Sequence, residues 1–217
     1  MAPPTNLTLD ESTVPGHTLL RYSALIANIG AGPFEIDGER PNTTSSMSVH
    51  QRIYTDTGGS SLVYLPNATM FFAGDGHNHW HLGDLELGTL TRLDNGSQVG
   101  SLAKHGFCFS DNVMYDSSLP GAPNSAHYSK GSSPPACAPK NQAALSVVEG
   151  LSVGWGDLYS NSTAFQYIDV TGLKNGHYRL TDTVNAAQLG LIESNGTNDS
   201  RYVDINLKTK SVSVRRG

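Results

Sequence analysis

Only two cysteines occur in this 217-residue chain, so a framework of many disulfides is excluded and a hydrophobic core must carry the fold. A chain of this length can build that core in one domain, read here as residues 1–217. Charge is sparse too, at 15% of residues, with 14 basic against 19 acidic side chains and a net charge of -5. That balance gives no electrostatic basis for nucleic acid, and the Arg215-Arg216 pair is too short for a basic arm. No apolar run approaches the roughly 18 residues that a membrane-spanning helix needs, so no membrane partner is expected. Heptads, repeats of 20 to 50 residues and glycine-rich phosphate loops are also missing.

What is plentiful is turn chemistry. Gly 23 and Pro 11, with frequent Ser, Thr and Asn, imply many turns between short strands, and therefore an all-β chain. "TLLRYSALIANIGAGPFEID" (18–37) alternates apolar and polar residues and reads as two strands about a turn. "VHQRIYTD" and "SLVYLP" suggest a hairpin around Gly58-Gly59, and "HNHWHLGDLELGTLTRL" an extended pair around Gly83 or Gly88. "FQYIDVTG" and "GHYRLTDTV" flank Asn175-Gly176, a strong hairpin signal. These pieces predict a single-domain β-sandwich with Greek-key character and long loops, strand ends and one long loop forming a pocket.

Cys108 and Cys137 enclose a Pro/Gly/Ser-rich segment that cannot easily order itself, and in an oxidising compartment they would form one disulfide closing a lid or rim. The alternative is two separate buried thiols. Asn6, Asn42, Asn67, Asn95, Asn161, Asn195 and Asn198 each open an N-x-S/T triplet, seven of fifteen asparagines, which is well above chance and favours a secreted glycoprotein. "MAPPTNLTL" lacks the regions of a signal peptide and reads as a start that replaces a removed leader. The alternative is accidental matches on a Ser/Thr-rich surface.

Three of the eight histidines sit on alternate positions in "GDGHNHWH" (74–81). On a strand, His77, His79 and His81 would project from one face, with Asn78 and Trp80 on the other. Three convergent imidazoles suit Cu²⁺ or Zn²⁺ and leave positions open for water or substrate. The bland reading is three histidines on a solvated face.

At these residues the chain resembles the lysyl oxidases, copper- and quinone-dependent amine oxidases. The similarity runs in order through "LRYSALIANIGAGPFEI", "DGHNHWHLGDLEL", "KHGFCFSD", "GLSVGWGDLY", "QYIDVTGLKNGHYRL" and "LIESNGTND". The resemblance implies copper on His77, His79 and His81, with zinc able to replace it. It also implies a self-made lysyl tyrosylquinone from Lys104 in "KHGFC" and Tyr159 in "GWGDLY". The implied reaction takes a primary amine, peptidyl lysine included, and O₂ to an aldehyde, hydrogen peroxide and ammonia. Asp157, two residues before Tyr159 and on its face if the segment is extended, is the candidate base for the substrate's α-proton; a turn cap is the alternative.

The chain departs from animal members in several places. They carry several disulfides and pair the aligned cysteines differently. They have a histidine further along the strand after the metal motif, near the point where Gly88 falls here, and a more polar pair at Trp155 and Gly156. Near the C-terminus, Glu193, Asn195, Asn198 and Asp199 offer hard oxygens suited to Ca²⁺, and the resemblance adds Asn6 and the Leu7 carbonyl; a polar turn is the alternative. Two other functional classes stay open: a copper- or zinc-binding module without catalysis, and a zinc hydrolase using the open metal position.

Overall fold

The computed structural model describes residues 1–74, 76–185 and 188–215; Asp75 of the histidine stretch and Arg216 of the basic pair lie outside them. The chain is almost wholly strand and turn, with one helical turn, a 3₁₀ segment at Gly196–Asn198, among the described residues. No helix among them is long and apolar enough to cross a membrane.

Four antiparallel sheets account for the strands. The first runs β1 (Thr5–Asp10), β2 (Leu19–Ala27), β13 (Trp155–Tyr159), β11 (Val113–Met114), with β14 (Tyr167–Asp169) also on β2. The second runs β17 (Ser211–Val214), β16 (Ser200–Lys208), β15 (Gly176–Val184), β8 (Glu86–Arg92), β9 (Gln98–Ser101). The third runs β12 (Ser146–Leu151), β3 (Phe34–Glu39), β4 (Ser48–Tyr54), β5 (Ser60–Tyr64). The smallest runs β10 (Gly106–Phe107), β7 (Trp80–Gly83), β6 (Met70–Phe72). Partners far apart in sequence, such as β2 with β13 and β8 with β15, are joined by long crossovers.

The two five-stranded sheets meet in the core. Leu20, Tyr22 and Ala24 of β2 pack with Leu90 of β8 and with Tyr178 and Leu180 of β15, all fully buried. Each of the buried leucines contributes about 1.5–3 kcal/mol by leaving water. Contact is closest where glycine makes room: a Cβ on Gly88 would stand 1.9 Å from the Tyr22 hydroxyl. The space beside Gly88 is therefore filled from the opposite sheet.

The structure changes several expectations. The Gly58-Gly59 hairpin forms between β4 and β5. The segment 18–37 does give two strands about a turn, but the Asn28 amide donates to the carbonyls of Gly32 and Leu151, both at 2.9 Å, and steers the chain into another sheet. β7 and β8 likewise belong to different sheets and do not pair. Asn175-Gly176 makes no hairpin, because β15 is flanked on both edges by β8 and β16 and has no place for β14. The segment between the cysteines is tied down rather than loose. The buried Asp111 carboxylate accepts from the amides of His127, Tyr128 and Ser152, Trp155 Nε1 donates to the Pro123 carbonyl, and β11 pairs with β13.

Candidate active site

Only His81 of the three histidines lies on a strand. His77 and His79 occupy the preceding turn, where Gly76 (φ +94°) and Asn78 (φ +51°) take left-handed conformations that interrupt extended backbone. Strand alternation is thus not what brings the imidazoles together; the turn is. Their ligand nitrogens nevertheless all lie within 4.8 Å of one another. His77 and His79 stack at 5.4 Å, and His81 meets both edge-on. The turn is held from outside: Trp80 N–H donates to the Cys137 carbonyl, Lys140 N–H to the Asn78 carbonyl, and Trp80 Nε1 to the Asn141 carbonyl.

The arrangement fits a metal ion. His79 Nδ1 is bonded to the His77 carbonyl at 2.7 Å, which fixes the ring and leaves Nε2 for a ligand bond. His79 Nε2 and His81 Nε2 stand 2.9 Å apart. Two nitrogens at about 2.0 Å from one ion are about 2.8 Å apart at a right angle and about 3.3 Å apart in a tetrahedron, so this pair is spaced for a single ion such as Cu²⁺ or Zn²⁺. Burial pushes the His79 imidazole below its ordinary pKa and so favours the neutral, ligating form.

A short strap links the histidines to the tyrosine. Gly106 sits against His81; a Cβ there would meet the His81 ring at 2.7 Å. Next to it, Phe107 packs edge-on to Tyr159 with ring centres 5.1 Å apart. Cys108 then grips the Tyr159 hydroxyl from both sides, its amide donating at 2.9 Å and its carbonyl accepting at 3.0 Å. Lys104 opens the strap. It is buried, 4% exposed, with Nζ 5.3 Å from the centre of the Tyr159 ring and 5.2 Å from that of Phe107. The folded chain therefore brings Lys104 and Tyr159 together from distant segments.

Asp157 is 2% exposed, and alternation along β13 puts it on the same side as Tyr159. Burial raises its carboxyl to about 7, against the opposing pull of hydrogen bonds and the Lys104 charge. The Asn112 amide donates to one of its oxygens. Burial, and next the Asp157 charge, drive the Tyr159 phenol well above its usual range. Cys108 and Cys137 form a disulfide. Beside it lies Glu149, fully buried, one oxygen accepting from the Phe109 amide at 3.2 Å and its carboxyl raised by burial.

The C-terminal acidic segment lies in a different place, at an open cleft of about 670 Å³ whose walls include Glu193, Asn195, Asn198, Asp199 and Met1. Partial burial and the neighbouring Asp199 raise the Glu193 carboxyl. The Asn195 side chain caps the 3₁₀ turn through Thr197, and the Asn198 carbonyl accepts from the Met1 amine at 3.1 Å. Asn6 and Leu7 lie on β1, Asn6 bonded to Ser23 and Asn161.

Sequence reasoning used Phe107 only as the marker that locates Lys104, and did not single out Asn112, Glu149, or the buried acids Glu86 and Asp182. The fixed spacing of Phe107 from Lys104 was a usable signal; the carboxylates gave none, since in a sequence they look like solvated strand positions.

Residues 127–217 match the family model described as lysyl oxidase, which supports membership of that family. The matched part carries Asp157, Tyr159 and the acidic segment, and begins after His77, His79, His81 and Lys104. Comparison with curated proteins gives no match.

Proposed function

We propose that this lysyl oxidase-like chain is a copper-dependent amine oxidase that takes a primary amine, O₂ and water to an aldehyde, ammonia and hydrogen peroxide. The observation that carries the reading is Lys104, a buried lysine whose Nζ stands 5.3 Å over the Tyr159 ring. Burying an amine costs stability unless something is gained, and neither a zinc hydrolase nor a passive metal module uses a lysine at a tyrosine ring. Copper bound by His77, His79 and His81 would supply oxidation of the phenol by O₂, and the lysyl tyrosylquinone made from Lys104 and Tyr159 would supply the carbonyl that receives the amine.

The chain's own residues then have defined tasks. Cys108 fixes the phenol through two hydrogen bonds, so the ring keeps one orientation towards Lys104. Phe107 shields the lysine from water and keeps its nitrogen near the ring. Asp157, with a carboxyl near 7, is suited to receive a proton from the substrate's α-carbon at neutral pH and to release it again. Zinc could fill the histidine site without supporting the oxidation. Calcium at Glu193 and Asp199, secretion and sequon glycosylation complete the reading; the disulfide and the exposed Asn42, Asn67 and Asn95 are consistent with it.

Peptide mass spectrometry tests the proposal. Copper-loaded, aerated protein should yield a covalently joined Lys104–Tyr159 peptide, and unlinked peptides would refute it. Lys104→Ala should keep copper and lose amine oxidation, whereas His79→Ala should lose both.

A further inference from the structure

Behind Lys104 the interior contains three polar side chains that the site above does not use. Glu86 is 3% exposed, and Asp182 and Tyr22 are fully buried. Among the described residues, Glu86, Asp182 and the Tyr22 hydroxyl have no partner in full hydrogen-bond geometry beyond the mutual contact of the two carboxyls. Buried carboxylates without donors are rare because the desolvation cost is several kcal/mol.

Strand register explains how they meet. β8 and β15 pair so that Gly88 faces Asp182 and Glu86 faces Val184. Glu86 and Asp182 thus share one face of the sheet on a diagonal, about 7–8 Å between Cα atoms and within reach of long side chains. The Tyr22 hydroxyl enters through the gap that Gly88 leaves. Lys104 arrives from the other side. The Leu102 amide donates to the Gly88 carbonyl and the Asp84 amide to the His105 carbonyl, both at 2.7 Å, so residues 102–105 run antiparallel beside 84–88 with Lys104 alongside Glu86.

We propose that Glu86 and Asp182 share one proton and together accept the ammonium proton of Lys104, freeing its amine to add to the Tyr159 ring. This rests on the amine oxidase reading. In the step, an Nζ–H bond of Lys104 breaks and an O–H bond forms on Glu86, while the proton already on Glu86 passes to Asp182. A cation and an anion become two neutral groups, which relieves the desolvation of both in the interior. The electrostatic setting agrees. Burial, then the Asp182 charge, raises the Glu86 carboxyl far above its usual range, and burial raises Asp182 as well. The other groups acting on the pair are Tyr22 from β2, Asp157 from β13, Lys104 itself and, at Asp182, the Met1 amine.

The test follows formation of the Lys104–Tyr159 link by mass spectrometry after copper and O₂ are added to copper-free protein. In Glu86→Gln, linking at neutral pH should slow by roughly a hundredfold, the lower end of what a positioned base contributes. It should recover toward the parental rate as pH approaches the lysine range, with copper affinity unchanged; Asp182→Asn should behave alike. A purely structural loss would not be rescued by alkali. Parental rates at every pH in these variants, or slow linking that alkali does not restore, would overturn the proposal. No link in the parent would overturn the amine oxidase reading and this inference with it. Infrared spectra of copper-free, glutamate-labelled protein at about pH 8, above the ordinary carboxyl range, should show a protonated-carboxyl band that Glu86→Gln removes; an unchanged spectrum would also refute the proposal.

Discussion

Replacing Gly88 with alanine tests whether the sheets are locked where Tyr22 enters the second one. The new Cβ would stand 1.9 Å from the Tyr22 hydroxyl and 3.1 Å from both Tyr22 Cζ and Leu102 Cβ. Ordinary carbon contacts begin near about 3.5 Å, so the hydroxyl must retreat by about 1.6 Å in a close-packed core. Overpacking of this kind costs about 1–3 kcal/mol. Tyr22→Phe alone should be nearly neutral or slightly stabilising, since the hydroxyl is buried and makes no hydrogen bond. Combined with it, Gly88→Ala should cost less, because only the 3.1 Å contacts remain. The double-mutant cycle should therefore show a coupling of about 1 kcal/mol or more, read as a shift of the urea midpoint at constant slope. In a chain of this size 1 kcal/mol moves Tm by about 2–4 °C, so thermal melts give a second reading. A neutral Gly88→Ala, or additivity within about 0.5 kcal/mol, would refute the account.

Asp157 carries a pH signature. Its carboxyl is raised to about 7 when folded, so the unfolded chain releases that proton at lower pH. Its contribution to stability is complete below about 4 and is lost as pH rises through about 7. Urea midpoints of Asp157→Asn relative to the parent should therefore improve from pH 4 to pH 8, while amine oxidation falls; a pH-independent difference would contradict the assignment. Reducing the disulfide should cost about 3–4 kcal/mol on loop-closure grounds for a separation of 29 residues. It should also perturb Tyr159, whose hydroxyl is held by the Cys108 backbone. Near-ultraviolet circular dichroism that changes at tryptophan alone would argue against that coupling.

Much of this was legible in the chain before folding. The histidine spacing marks a site because three imidazoles in five residues have little else to do, although the turn at Gly76 and Asn78, not a strand, brings them together. Lys104 and Tyr159 are 55 positions apart, and nothing local in either predicts the other; only the family resemblance joined them. Asn175-Gly176 carried a hairpin signal that tertiary pairing overrode, while Asn95-Gly96, in the turn between β8 and β9, escaped notice. Along β8 the alternation rule is inverted, with Leu87 41% exposed and Glu86 buried. A periodicity argument assigns such a carboxylate to solvent, so it could not find the acid pair.

The strap from Lys104 to Cys108 also acts as a ruler. Lysine, packing ring, hydroxyl clamp and the glycine that admits His81 are measured out along five consecutive residues, and the disulfide anchors the far end. Because neighbouring strand residues face opposite ways, one residue inserted or deleted here would turn Phe107 and the clamp away from Tyr159 while Lys104 stayed in place. A change of strap length should therefore separate Lys104 from Tyr159 even with every side chain of the strap retained, whereas loops elsewhere on the molecule can vary in length without that penalty.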